Sequence, residues 1–458
     1  MKTDKSGTNS EEMRGRKFRY IGIPSRGVFC CFDCPEPLPE EGAAEGFRSI
    51  YDALNSGYTP CLVCQPDMKT DRIVLGTDVS PMVNRAVELI GEGFLNNHTT
   101  EELSEKLRVS ERHLRRAFKD ELGFSPSRLA AWHRAVFAKH LIRETNAPFT
   151  EIAYTSGFGS VRQFNQVIED VFNSCPTEIR RECRITNTDE SVFISYEDSF
   201  NFAGCLTELG KKMIPGAGKV TDSSYIHAFR INGSAGYVEV KDDPDRSRLI
   251  LSINAENRNC YLAVYHKIRR MFDIGRDEQD IRTTLGKDNF NGYLSHNSVP
   301  RLLLWFDPVA SVHYSVISQE SGHEETIEIL GKYARLCGDR LMQAPEGISV
   351  IYPEQIGIRR DVCRALGISE RAFDVLRQIE TAIDSNHIAL AYNQSYRQFR
   401  RSMMKYTEAA ENAVNYIAMF GMGMKNAYTY EDDWLISLNL ERWENYRSYA
   451  SLIYNLLN

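Results

Sequence analysis

Long apolar runs are missing from this chain of 458 residues. With a mean hydropathy of −0.39, that excludes a membrane-spanning helix, which takes about 20 consecutive apolar residues. An excess of positive charge is missing too. The 55 Lys and Arg stand against 62 Asp and Glu, net −7, so tight non-specific adhesion to nucleic acid is not expected of the chain as a whole. Pairing rhythm is absent from most of the 11 cysteines. Those from Cys175 onward lie scattered, which argues against a disulfide scaffold and for a reducing, cytoplasmic compartment. The stretch from Met1 to Glu12 has no apolar core; residues 1–15 are expected to be a disordered lead rather than a signal peptide. The chain is nonetheless rich in core-forming residues, 42% apolar and 10% aromatic, and too long for one core, so several folded domains are expected.

What is present is a group of five cysteines near the N-terminus: Cys30, Cys31 and Cys34, then Cys61 and Cys64. Two short Cys pairs on two turns deliver four soft thiolates to a tetrahedral zinc ion at little loop-closure cost. The doublet leaves two pairings open, since Cys31 with Cys34 gives CxxC and Cys30 with Cys34 gives CxxxC. Five thiols serve four positions, so one is spare.

The surrounding residues carry a resemblance. Gly27-Val28-Phe29-Cys30, Cys34-Pro35, an apolar helix with Phe47, Ile50, Ala53 and Leu54, then Gly57-Tyr58-Thr59-Pro60-Cys61-Leu62-Val63-Cys64-Gln65-Pro66-Asp67 together resemble the zinc domain of the Ada methylation-sensor family. The resemblance spans residues 16–75. It implies one structural and reactive Zn²⁺ held by Cys30, Cys34, Cys61 and Cys64, with Cys30 also the acceptor of a methyl group from a DNA methylphosphotriester and Cys31 a bystander. The stretch Pro35-Glu36-Pro37-Leu38-Pro39-Glu40-Glu41 departs from the basic loop of that family and repels DNA; Arg26 and Arg48 are the compensating cations nearby.

The charge distribution singles out the middle of the chain. Residues 99–183 hold 13 Lys or Arg against 12 Asp or Glu, with the bases crowded between Arg112 and Arg143. Thr99 and the acids after it predict a helix start, and Ser110 predicts a second. That second helix buries Leu114, Ala117 and Phe118 and presents Arg112, His113, Arg115, Arg116 and Lys119. Gly123 ends it, and Ser125-Pro126 opens a long helix to Glu144. The arrangement recurs from Phe149 to Val167, with Gly157-Phe158-Gly159-Ser160 at the turn. Two helix-turn-helix units on one long helix resemble the AraC-type regulator domain, here over residues 85–185. The resemblance implies that Ser110, Arg112, His113, Arg115 and Arg116, then Ser160, Arg162, Gln163 and Gln166, meet double-stranded DNA in successive major grooves. Arg and Gln suit the edges of guanine and adenine. RNA polymerase is the further partner such a regulator implies. Paired recognition units let a monomer read an asymmetric site, which leaves the oligomeric state open.

After residue 190 the texture changes. Phe193 to Phe202, Tyr225 to Arg230, Ala235 to Val240 and Arg248 to Ile253 read as strands, followed by an amphipathic helix from Tyr261 to Phe272 and helices beyond Pro300. In order, and through Val299-Pro300-Arg301, Leu366-Gly367-Ile368-Ser369, Asn415-Tyr416-Ile417-Ala418 and Arg447-Ser448-Tyr449-Ala450, this half resembles AlkA-type 3-methyladenine DNA glycosylases. It implies a β-rich domain at 190–290 and a helix-hairpin-helix domain at 291–458. In those enzymes a flipped base meets an aromatic pocket and a carboxylate stabilises developing positive charge; here the matching residues are Tyr416 and Asp433. The hairpin itself, Lys405 to Asn412, has lost both glycines that expose backbone amides to phosphate, and Asn412 and Asn455 stand where the family has tryptophans.

The expected fold is therefore multidomain α+β: a small four-cysteine zinc domain, an all-α double helix-turn-helix domain, a small antiparallel sheet domain with helices, and an all-α helix-hairpin-helix domain. All parts converge on alkylated DNA. The leading expectation is an alkylation-response protein that accepts a methyl group, regulates transcription and excises alkylated purines by N-glycosyl hydrolysis. The alternative is a non-enzymatic AraC-type regulator carrying a degenerate glycosylase scaffold. A third reading has the Cys30-Cys31 doublet respond to oxidation.

Overall fold

A computed structural model describes residue 18, residues 20–32, 34–35, 44–64, 66–69, 79–181, 192–196, 200–276, 278–287, 290–392, 394–428, 443 and 445–457. The chain divides into two compact units, residues 1–190 and 191–458.

The first unit opens with β1 (Tyr20–Ile23), β2 (Val28–Cys31), β3 (Glu45–Phe47) and β4 (Thr59–Pro60), a sheet in the order β3-β1-β2-β4 with β2 and β4 parallel. The β1–β2 hairpin turns at Gly27, whose φ of +63° lies in the region glycine tolerates. Its register sets Cys30 opposite Ile21, so the first thiol sits on a strand rather than a loop. Helix α1 (Ile50–Asn55) begins where Ser49 Oγ accepts from the Asp52 N–H at 3.1 Å, and α2 (Pro66–Lys69) follows the second Cys pair directly.

The helices that follow are α3 (Pro81–Gly91), α4 (Thr100–Lys106), α5 (Glu111–Leu122), α6 (Pro126–Glu144), α7 (Phe149–Thr155), α8 (Val161–Phe172) and α9 (Pro176–Arg181). Their starts follow side-chain chemistry. Thr99 and Glu102 form a reciprocal capping box on α4. Ser110, Ser125 and Ser160 each accept a backbone N–H at the start of α5, α6 and α8, at 3.2 Å in every case. Gly123, at φ +80°, ends α5. Helix α7 starts at Pro148 with no side-chain cap. Buried Leu103, Leu107, Leu114 and Phe118 form one core with Leu129 and Trp132 of α6, while Ile152, Phe164 and Ile168 of the second repeat are equally buried.

The zinc-domain elements pack on this helical module. Tyr51 of α1 packs against Phe124 with ring centroids 5.0 Å apart and the ring planes tilted by 37°. Asn55 Nδ2 donates to the Leu122 carbonyl at 2.9 Å, and the Arg128 guanidinium donates to the Leu54 carbonyl at 3.2 Å. An added Cβ on Gly123 would lie 2.8 Å from Asn55 Nδ2, so glycine serves both the helix end and this close approach.

The second unit contains an antiparallel sheet of β5 (Val192–Ser195), β6 (Gly218–Val220), β7 (Ser224–Ile231), β8 (Ser234–Asp243) and β9 (Arg248–Ala255), in the order β5-β9-β8-β7-β6. The β-rich run read from Phe193 to Phe202 is strand only in its first part. The strand stops at Ser195, and α10 (Phe202–Lys211) begins at Asn201, whose Oδ1 accepts the Gly204 N–H at 2.9 Å. Phe202, Cys205, Leu206 and Leu209 are buried at helical spacing, and that period outweighs the β propensity of the isolated aromatics. The edge strand β6 carried no alternation by which to read it.

Helix α11 (Tyr261–Met271) leads into α12 (Glu278–Leu285), α13 (Pro308–Ile317), α14 (His323–Cys337), α15 (Arg360–Leu366), α16 (Glu370–Asp384), α17 (Tyr396–Tyr406), α18 (Glu411–Tyr416) and α19 (Arg447–Leu457). Helix α18 runs on as a π-helical turn at Ile417–Gly421. One core gathers Phe290, Leu330, Leu376, Phe399, Met403, Val414 and Tyr449. Behind α11 the buried Asp273 carboxylate accepts from Tyr449 OH at 3.0 Å and from the Leu302 N–H at 3.1 Å, tying the end of α11 to α19. Among the described residues no helix is long and apolar enough to cross a membrane.

Candidate zinc centre and nucleic-acid interface

The Sγ atoms of Cys30, Cys34, Cys61 and Cys64 all lie within 4.8 Å of one another. Tetrahedral zinc with bonds of about 2.3 Å separates its sulfurs by about 3.8 Å, so a small contraction around the ion satisfies the geometry. Cys30 comes from β2 and Cys34 from the turn after it, where the Cys34 N–H donates to the Cys31 carbonyl at 3.2 Å. Cys61 and Cys64 follow β4, whose parallel pairing to β2 brings the two pairs together. Cys31 lies outside the cluster, but its N–H donates to Cys64 Sγ at 3.4 Å.

The donor chemistry fits the ion. Taken by themselves the thiols titrate against one another: the contacts from Cys30 and from Cys31 hold Cys64 well below the usual thiol range, and the same contact with Cys64, together with burial, raises Cys30. Four thiols this close ionise together only against a dication. Cys30, Cys61 and Cys64 are buried, whereas Cys31 and Cys34 are partly exposed. The chain holds one Zn²⁺ at this cluster.

Behind the cluster lies a contact absent from the sequence reading. Lys139 of α6 and Asp67, three residues past Cys64, form an ion pair with neither side chain accessible. Lys139 Nζ also sits 4.7 Å from the centroid of the Phe172 ring, at the end of α8. Helical spacing from buried Ala135 and Ile142 was the signal that places Lys139 on the inner face.

The two expected recognition helices present matching surfaces. Arg112, His113, Arg115 and Arg116 on α5, and Arg162, Gln163, Asn165 and Gln166 on α8, are exposed, while Leu114 with Phe118 and Phe164 with Ile168 hold the same buried positions. Their side chains are unequally committed. Arg115 pairs with Glu111 at 2.7 Å and Arg116 with Asp120 at 3.4 Å. Gln166 Nε2 donates to Asp170 at 2.9 Å, and Gln163 Oε1 accepts the Gly159 N–H at 3.2 Å. Ser110 and Ser160 serve as helix caps. Arg112 and Arg162 carry no ion pair among the described residues.

In the second unit Tyr416 is half-buried and its hydroxyl accepts from Trp305 Nε1 at 3.1 Å. Tyr314 lies 5.0 Å away and Phe420 4.8 Å away, centroid to centroid. Burial drives the Tyr416 phenol well above its ordinary range, so it stays neutral. Trp305 and Tyr314 were missed by sequence reading, which looked for aromatics at Asn412 and Asn455; both of these asparagines are exposed. Asp433 lies outside the described residues.

Fold and site together define a class: a zinc-thiolate, helix-turn-helix DNA-binding chain joined to a unit with a sheet and a helical hairpin. Comparison with known proteins gives that class its relatives. Residues 10–67 match the metal binding domain of Ada, residues 103–182 a helix-turn-helix domain, and residues 191–300 the AlkA N-terminal domain. The chain is similar, at 22% identity covering 96% of it and 93% of the relative, to a probable bifunctional transcriptional activator/DNA repair enzyme AlkA of Mycobacterium tuberculosis. Over 105 residues, 23% of this chain and 38% of the relative, it is 31% identical to the HTH-type transcriptional activator RhaS of Salmonella arizonae. Among solved structures, a 3-methyladenine DNA-glycosylase from Archaeoglobus fulgidus is matched at 14% identity over 58% of this chain and 97% of that one, with a TM-score of 0.48.

Proposed function

We propose that this chain is an alkylation-response protein in which a zinc-thiolate methyl acceptor and a DNA-binding transcription regulator are joined to a DNA-3-methyladenine glycosylase-like region. The observation that carries the reading is the four-cysteine cluster packed, within one unit, against a helical module that presents two exposed, matching recognition helices. Full-length likeness to a bifunctional activator and repair enzyme supports it.

Bound zinc keeps the four sulfurs as thiolates at neutral pH. Cys30 Sγ attacks the methyl carbon of a phosphotriester: the S–C bond forms as the C–O bond breaks, and the electron pair leaves on the phosphate oxygen, giving a diester. Thioether formation removes one negative charge beside the DNA, which strengthens attraction to phosphate. Arg112, His113, Arg115 and Arg116, with Arg162, Gln163 and Gln166, then hold the promoter, and RNA polymerase is the partner of the activated complex. The reducing cytoplasm suits an open thiolate centre.

In the glycosylase-like region Tyr416 stacks the flipped base and Asp433 stabilises the oxocarbenium-like charge as the glycosidic bond breaks. The deciding experiment is release of 3-methyladenine from alkylated duplex by the intact protein beside D433N. Release that disappears in the variant supports repair; no release from zinc-loaded, folded protein removes it.

A specific observation favours a second reading, a regulator whose glycosylase-like half is a scaffold. Two of the hairpin amides are already engaged: the Glu408 N–H donates to Gln378 Oε1 at 2.7 Å and the Ala409 N–H to Thr407 Oγ1 at 3.3 Å. Base release by the intact protein would remove this reading.

A further inference from the structure

The occupied hairpin raises the question of what else in the second unit could hold DNA. The turn between α17 and α18 is Thr407 to Ala410, and besides its engaged amides it carries exposed Glu408. Glu411, at the start of α18, pairs with Arg400 through Nε at 2.8 Å. A phosphate arriving there meets one free carboxylate and no unengaged amide at Glu408 or Ala409.

Helix α17, Tyr-Arg-Gln-Phe-Arg-Arg-Ser-Met-Met-Lys-Tyr, contains four cations and no acid in a chain that is net acidic. Phe399 and Met403 face the core. Arg401 and Lys405 are exposed, and Arg397 precedes them at the same spacing of four residues, which places the three on one face with about 6 Å of rise between neighbours. Unlike Arg400, neither Arg397 nor Arg401 has an ion pair among the described residues. Lys405 rests 4.7 Å from the centroid of the Tyr406 ring, a contact that keeps its ammonium at the surface. Three charges along about 12 Å match roughly four phosphates of one strand at 3.4 Å of axial rise each.

We propose that the face of α17 carrying Arg397, Arg401 and Lys405 is a docking surface for the phosphate backbone of duplex DNA, replacing by side-chain charge the amide site that the hairpin has lost. The inference rests on the reading of this half as DNA-acting, but it does not need base excision. Arginine on this face makes paired hydrogen bonds to phosphate oxygens, and because such contacts carry no base specificity, the surface serves DNA of any sequence.

The test uses the full zinc-loaded chain in which R112Q, R115Q, R116Q and R162Q silence the recognition helices. Its affinity for a short fluorescent duplex is measured across a salt series, with and without R397Q, R401Q and K405Q. The proposal expects the slope of log K against log[salt] to flatten by about 2.7 and low-salt affinity to fall about tenfold or more. Melting should be unchanged, because none of the three side chains belongs to the core. An unchanged slope, or a silenced chain that binds no duplex at all, overturns it. Release of 3-methyladenine is read separately. A flattened slope in a protein that releases no base keeps the surface and removes the repair activity; an unaltered slope in a protein that does release base does the reverse.

Discussion

Asp67 and Lys139 form an ion pair from which solvent is wholly excluded, joining the segment that carries Cys64 to the long helix between the two recognition units. Burial pulls the Lys139 ammonium down, and the Asp67 carboxylate holds it up. Lys139 meets Oδ2, and Asp67 Oδ1 has no hydrogen-bond partner among the described residues, so the carboxylate depends on this one cation. Removing either member leaves a buried charge alone, which costs about 3–5 kcal/mol. D67L and K139M should each lower the stability of the first unit by that order, and the D67L/K139M pair should recover most of it. Urea unfolding of the four proteins checks the cycle; additive single losses would show that the two groups do not depend on one another.

Zinc should follow the geometry of the cluster. C34S, C61S and C64S are expected to lose the metal, and with it folding energy of the N-terminal sheet, while C31S keeps one zinc per chain by elemental analysis. Full zinc content in C34S with loss in C31S would move the ligand set away from the gathered thiols.

The methyl group provides a sharper test. Cys30 is fully buried, while Cys34 is partly exposed. Peptide mapping after reaction with a methylphosphotriester oligonucleotide is expected to find the added methyl on Cys30. Methyl on Cys34 would show that access, rather than place in the motif, selects the sulfur.

The recognition helices should differ residue by residue. Arg112 and Arg162 have no internal ion pair among the described residues, whereas Arg115 is held by Glu111. R112A and R162A should each weaken specific DNA binding by about 1–3 kcal/mol. R115A should cost less, since its guanidinium must first leave Glu111. Fluorescence titration with a selected operator measures all three; equal losses would mean that Glu111 imposes no penalty.

The second unit should lose stability in acid through a buried histidine. The Ile356 carbonyl only accepts, so His313 Nε2 donates to it at 2.8 Å and Nδ1 accepts from Tyr352 OH at 2.8 Å. Burial lowers the ring to about 4, below the ordinary value of about 6.5. The neutral ring is therefore favoured in the folded state; its contribution is complete above pH ~6.5 and is lost as pH falls toward ~4, at about 1.4 kcal/mol per pH unit. Urea midpoints across that window should fall less steeply in H313Q than in the parent chain. Parallel slopes would count against the assignment.

The sequence by itself determined what local chemistry fixes. Ser110, Ser160, Thr99 and Gly123 mark helix ends because capping acts within three or four residues, and the paired cysteines declare a metal because a ligand set is a property of spacing and donor type. The repeated pattern of α5 and α8 was legible for the same reason. Only the tertiary structure decided the rest. It brought the two cysteine pairs to one place, because β2 and β4 pair in parallel. It ended the first strand of the second unit at Ser195, where burial of one helical face overrode β propensity. It placed Trp305 and Tyr314 beside Tyr416, Trp305 across 111 positions of the chain, and it joined Asp67 to Lys139 across 72 positions. Such contacts between distant segments leave no periodic mark in a single sequence; they exist only once separate elements share a core.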